Sequence, residues 1–192
     1  MASHKPQIIL ASASPRRELL LREMGLRFRV LAPDGVEELA TGATPEVLSL
    51  QNAQLKARAV AGHHPESLVI GADTIVVLDG NVYGKPRDLA DAGRMLAELA
   101  GRQHTVITGV CLIRRSTGTE LTFAEHTKVW MRALDAGQIA DYHKKVNPLD
   151  KAGAYGAQEF GASIIERIEG SFANVMGLPV ERLQGALERL GF

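Results

Sequence analysis

The chain has 192 residues, 45% of them hydrophobic and 23% charged, the balance of a globular protein with room for a substantial core. Lysine plus arginine and aspartate plus glutamate both number 22, so the formal net charge is zero, which argues against a broad nucleic-acid-binding surface. One cysteine excludes an internal disulfide, and no apolar run reaches the ~20 residues of a membrane-spanning helix.

The pattern alternates strands and helices. Residues 7–11 read as a strand. Ser14-Pro15 then has the form of a helix start, with serine as N-cap and proline at the first helical position, for a helix to about Met24 closed by Gly25. A second strand is expected over 27–31. Thr44-Pro45 repeats the cap-plus-proline signal for a helix to about Ala61. Residues 68–70 and 74–78 are β-rich, with Gly71-Ala72-Asp73 between them, and Asp79-Gly80 is a hairpin turn signal. Asp88 can cap a helix to about Ala100, stopped by Gly101. Residues 105–115 and 121–131 read as long strands joined at Ser116-Thr117-Gly118; in the second, Thr127, Val129 and Met131 share one face. Asp135 and Gln138 have capping-box spacing for a helix to about Lys144. A short strand is expected over 164–168. Pro179 opens a last helix with Val180, Leu183, Leu187 and Leu190 at helical spacing. The result is an α/β protein with mixed strand order.

Several segments carry candidate chemistry. Leu10-Ala11-Ser12-Ala13-Ser14-Pro15-Arg16-Arg17 ends a strand and begins a helix with two arginines in its first turn. Such arginines oppose the helix dipole unless an anion sits there, and helix N-termini suit phosphate. The alternative is a plain capped helix with solvated arginines. Asp73 stands between two apolar segments, where an ionised carboxylate needs a partner; it can bind a divalent cation, act as general base, or simply cap a turn. Lys85 and Arg87, near a helix start, suit anion handling or an ordinary turn. Lys56, taken alone, reads as a helix-surface lysine. Glu37-Glu38 is either a metal-binding pair or a solvated loop. Across Asp150-Lys151-Ala152-Gly153-Ala154-Tyr155-Gly156-Ala157-Gln158, small residues allow close backbone approach to a ligand, and the Gln158 amide can read a base edge; the alternative is a loop shaped by turn geometry alone. Gly170-Ser171-Phe172-Ala173-Asn174 leaves the same two readings. No histidine pair or Cys/His spacing suggests zinc, and Cys111 reads as core.

In their order and spacing, these pieces resemble the Maf family of nucleotide pyrophosphatases over nearly the whole chain. The matching segments are the serine–arginine stretch from Leu10 to Arg17, Lys56-Ala57, Gly71-Ala72-Asp73-Thr74, Gly84-Lys85-Pro86-Arg87-Asp88, Thr108-Gly109-Val110, Lys151-Ala152-Gly153-Ala154-Tyr155-Gly156 and Gly177-Leu178-Pro179. The resemblance implies a Maf/inosine-triphosphatase-like fold, a mixed sheet with helices and two lobes flanking a cleft, as a single domain over 1–192. It implies cleavage of nucleoside triphosphates between the α and β phosphates, dependent on a divalent cation such as Mg2+ or Mn2+. Ser14, Arg16, Arg17, Lys56 and Lys85 would hold phosphate. Asp73 would be general base and metal ligand, Glu38 a second acid at the metal, and Gln158 a residue near the reacting centre. Ala72-Asp73-Thr74 and Ala154-Tyr155-Gly156 resemble the branch acting on dTTP and UTP. The 7-methyl-GTP branch has glutamine where Thr74 stands and tryptophan where Pro15 stands. Purine or modified nucleotides, or nucleotide binding without turnover in control of cell division, are the alternative functions. A cytoplasmic location, no nucleic-acid or membrane partner, and room for a homodimer complete the expectations.

Overall fold

The computed structural model describes residues 6–36, 38–40 and 44–192. Two compact units emerge. The first comprises Met1–Asp73, Thr108–Glu125 and Gly177–Phe192; the second comprises Thr74–Ile107 and His126–Met176. The strands form one seven-stranded mixed sheet in the order β2-β1-β3-β5-β6-β7, with β4 beside β3.

In the first unit, β1 (Ile8–Ala11) is buried along its whole length and pairs in parallel with β2 (Phe28–Val30) and β3 (Leu68–Leu78). A strand buried on both faces needs an unbroken apolar run, and Ile8 to Ala11 supplies it. Between β1 and β2 lies α1 (Pro15–Glu23); α2 (Pro45–Ala61) precedes β3, its start closed by Thr44, whose hydroxyl accepts from Val47 N–H at 3.2 Å. The core joins Ile9, Ala11 and Val69 to the inner face of α2 at Ala53, Ala57 and Val60, with Cys111 and Ile113 from β5 (Gln103–Arg114). Burial pushes the Cys111 thiol up to about 12, leaving it an inert core side chain. The last helix, α6 (Val180–Arg189), buries Leu183, Ala186 and Leu187.

In the second unit, β3 turns back into β4 (Asn81–Tyr83) through Asp79 and Gly80, both at positive φ, as a type I′ hairpin requires. Asp88 caps α3 (Leu89–Leu99), accepting from Asp91 N–H at 2.7 Å; Ala92, Met95, Leu96 and Leu99 form its buried stripe. β6 (Thr119–Met131) ends in the expected alternation, with Thr127, Val129 and Met131 buried, and pairs with β7 (Ile165–Glu169). The Asp135–Gln138 capping box opens α4 (Ala136–His143).

Three features depart from the sequence expectations. The two β-rich segments around Gly71-Ala72-Asp73 are one continuous strand, β3. Ser14 stands at the N-cap of α1 but makes no capping bond through its side chain. The segment Gly170-Ser171-Phe172-Ala173-Asn174, left between a ligand-approaching loop and a loop shaped by turn geometry, instead runs into a short helix, α5 (Phe172–Met176). Among the described residues, no helix is long and apolar enough to cross a membrane.

Candidate active site

Asp73 and Gly71 lie two residues apart on β3 and so face the same side of the strand, toward α2. The inner face of α2 is not purely apolar: Ser49, Asn52 and Lys56 share it with Leu48, Ala53, Ala57 and Val60. Lys56, surface-like when read alone, is only 8% exposed. Its ammonium lies 2.6 Å from Asp73 Oδ1 and 2.7 Å from Glu38 Oε1. One cation thus bridges two carboxylates. Asp73 is buried, which a carboxylate tolerates only with such a partner. The Asn52 amide donates to Asp73 Oδ2 at 3.4 Å. The same amide pairs with the backbone of Leu39, accepting from its N–H at 2.7 Å and donating to its carbonyl at 3.1 Å. Glu37, the other half of the acidic pair, lies outside the described residues.

The start of α1 belongs to the same unit. Whereas Thr44, Asp88 and Asp135 cap their helices with side-chain oxygens, Ser14 does not. Ser12, buried just before it, accepts from Ser14 N–H at 3.1 Å and from Arg17 Nη1 at 3.3 Å. Arg17 Nε donates to the Gly177 carbonyl at 2.8 Å, which fixes the half-buried guanidinium. Burial pulls the Arg17 pKa down; Asp73 opposes this, Arg16 adds to it, and Glu38 opposes it. The charges of Asp73, Arg16 and Glu38 therefore all reach the Arg17 guanidinium.

Lys85 and Gln158 lie in the second unit, both exposed. Their segments are tied together by the bond from Gly153 N–H to the Gly84 carbonyl at 3.0 Å. Lys151, only 4% exposed, anchors the segment before Gln158. Its ammonium bonds the Asn147 carbonyl and Asp150 Oδ1, both at 2.8 Å, and lies 3.3 Å from Glu159 Oε2. The Tyr142 hydroxyl accepts from Gly156 N–H at 3.0 Å and donates back to the Gly156 carbonyl at 3.2 Å. The glycines here serve packing. A Cβ on Gly153 would press on Val76 and Leu99, and one on Gly156 would fall 2.9 Å from the Lys151 stem. Asn174 donates from its amide to Thr127 Oγ1 at 3.0 Å and to the Val106 carbonyl at 3.2 Å, a buried structural bracket.

Among the described residues, no cluster of three or more His, Cys, Asp or Glu side chains could hold a metal by protein ligands alone. Asp73 and Glu38, both in contact with the Lys56 ammonium, are oxygen donors of the kind a hard cation such as Mg2+ takes one or two at a time, beside water and substrate phosphate. The sequence reading quoted Ser12 within its segment without giving it a role, and it passed over Asn52. The signal for Asn52 was present: a polar residue on the apolar stripe of α2, four residues before Lys56.

Fold and site together define a mixed-sheet α/β protein with a buried lysine–aspartate pair that the exposed Glu38 carboxylate also reaches. Residues 7–190 match the family described as Maf-like protein, and the chain belongs to that family. It is 45% identical to the dTTP/UTP pyrophosphatase of Geobacillus sp. (strain WCH70), over 97% of this chain and 99% of that one. It is 46% identical to the dTTP/UTP pyrophosphatase of Symbiobacterium thermophilum, over 97% and 95% of the two chains. Among solved structures, the Staphylococcus aureus Ham1 protein shares the fold, with a TM-score of 0.53 at 18% identity, covering 95% of this chain and 98% of that one.

Proposed function

We propose that this chain hydrolyses dTTP and UTP to the nucleoside monophosphate and pyrophosphate, in the cytoplasm. The observation that carries the reading is the Lys56 ammonium held between the Asp73 and Glu38 carboxylates, in a chain of the Maf family whose relatives bear that activity in their names. A triphosphate brings several negative charges, so its site needs cations already in place. Arg16, Arg17 and Lys56 supply them. The Ser14 hydroxyl, not used as a cap, is assigned to phosphate as well. Lys85 is assigned to phosphate and Gln158 to the pyrimidine edge.

In the proposed reaction, Asp73 accepts a proton from the attacking water as its oxygen bonds the α-phosphorus. The bond from the α-phosphorus to the bridging oxygen breaks, and pyrophosphate leaves with that electron pair. Asp73 and Glu38 would also hold a divalent cation, Mg2+ or Mn2+, which when bound neutralises phosphate charge. Lys56, fixed by both carboxylates, sets their separation and offers its charge to the incoming phosphates.

The test is pyrophosphate release across the common triphosphates under one metal condition, with product chromatography. The expected result is dTTP and UTP leading in kcat/KM, with monophosphate and pyrophosphate as products. A purine triphosphate leading the series would refute the pyrimidine assignment. Diphosphate with orthophosphate would refute the bond assignment.

A further inference from the structure

We infer that Asn52 is a positioning residue that clamps the Glu38-bearing segment onto α2 and thereby sets Glu38 against Asp73, an inference that rests on the proposed roles of those two acids. Asn52 is 3% exposed and sits one helical turn before Lys56 on the inner face of α2. Its amide is shaped like a peptide group, and it is used like one. Oδ1 accepts from Leu39 N–H at 2.7 Å while Nδ2 donates to Leu39 C=O at 3.1 Å, so one side chain closes a two-bond pair with one backbone residue. The remaining Nδ2 proton points to Asp73 Oδ2 at 3.4 Å.

The consequence concerns Glu38. Its residue is the immediate neighbour of Leu39, and its carboxylate reaches Lys56 while remaining 44% exposed at the side chain. A half-exposed ion pair alone holds a loop weakly. The amide of Asn52, itself buried, holds the backbone next door through two part-buried bonds to one residue. Asn52 thus touches the Glu38 segment with one side of its amide and Asp73 with the other. Lys56 makes the corresponding link by charge. An apolar residue at position 52 could not make either link.

The experiment has two arms. In the first, amide exchange at Leu39 is followed by NMR in the wild type and in Asn52→Leu, which keeps the number of side-chain heavy atoms and removes every polar one. The expected result is exchange at least about tenfold faster in the variant. In the second, kcat and KM for dTTP are measured for Asn52→Leu, Glu38→Gln and the double variant. The expected result is a fall in kcat of about tenfold or more for Asn52→Leu, with KM within about twofold, and no further fall when it is added to Glu38→Gln. Asn52→Ser, which leaves space for water at Leu39, repeats both arms if the leucine variant does not fold. Unchanged Leu39 exchange overturns the clamp. Wild-type kcat in Asn52→Leu, or losses that add independently to those of Glu38→Gln, overturns the positioning role. If the wild-type protein releases no pyrophosphate from any triphosphate, the functional reading fails, while the exchange arm still decides whether the clamp exists.

Discussion

Replacing Lys56 by methionine tests the centre most directly. Methionine keeps most of the aliphatic stem, so α2 retains its packing, and only the ammonium is lost. The Lys56–Asp73 pair is buried on both sides, with side chains 10% and 8% exposed, whereas Glu38 is 44% exposed. Removing one partner of a buried pair costs about 3–5 kcal/mol, because the other charge is stranded. The contact with Glu38 adds at most about 1 kcal/mol. For a chain of this length each kcal/mol moves Tm by about 2–4 °C, so the variant should melt about 6–24 °C lower. The same change in an Asp73→Asn background strands no buried carboxylate and should cost only about 1 kcal/mol. Thermal melts of the four proteins without nucleotide give the coupling. Pyrophosphate release should fall about 100-fold in Lys56→Met. A melt within about 2 °C of wild type, or equal costs in both backgrounds, would refute a buried, charge-compensating lysine.

Asp73→Asn should lower pyrophosphate release at least about 100-fold while the circular dichroism spectrum stays native, since the amide cannot take a proton; near wild-type rates at saturating Mg2+ would remove Asp73 from the mechanism. Gly71→Ala should cost about 1–3 kcal/mol in urea unfolding, because its Cβ would fall on Ala53 O and within 2.8 Å of Ala57 N, both backbone atoms of α2; an unchanged midpoint would contradict that contact. His104, 1% exposed and hydrogen-bonded to Tyr155 Oη at 2.6 Å, has its pKa pushed down to about 4 by burial. The unfolded chain takes up that proton near pH 6.5 and the folded one only near 4, so its stability contribution is complete above 6.5 and declines as pH falls between them, by up to about 3 kcal/mol. Melts over that range should show a shallower pH slope in His104→Gln, and identical slopes would rule out a neutral buried imidazole.

Elements marked by local chemistry were legible in the sequence. Thr44, Asp88 and the Asp135–Gln138 box each cap a helix as read, and Asp79-Gly80 makes its hairpin. The broken reading of β3 has a physical origin. Gly71 and Asp73 are poor strand residues, so the pattern appeared broken there. The chain instead keeps its strand and uses both residues against α2, one for close approach and one for charge. Lys56 shows the same limit: its partner lies 17 residues on, and helical periodicity carries no information about that. The family resemblance singled out Lys56 and Glu38, but it gave no account of their shared ion bridge. It did not single out Asn52, which pairs with a loop backbone as well as reaching Asp73.

The glycines explain why short side chains suffice at this centre. Gly71 on β3 and Gly109 on neighbouring β5 both lie under α2. A Cβ at 109 would stand 2.5 Å from the Ser49 carbonyl, and one at 71 would collide with the carbonyl of Ala53. The helix backbone therefore rests on two positions that have no side chain. Lysine, with four methylenes, could reach Asp73 from a helix set farther out. Asparagine, with one, could not: its contact with Asp73 is already 3.4 Å, near the limit for a hydrogen bond. The depth of α2 on the sheet thus matters more to Asn52 than to Lys56. A substitution that lifts the helix should break the Asn52–Asp73 contact before it breaks the Lys56–Asp73 bridge.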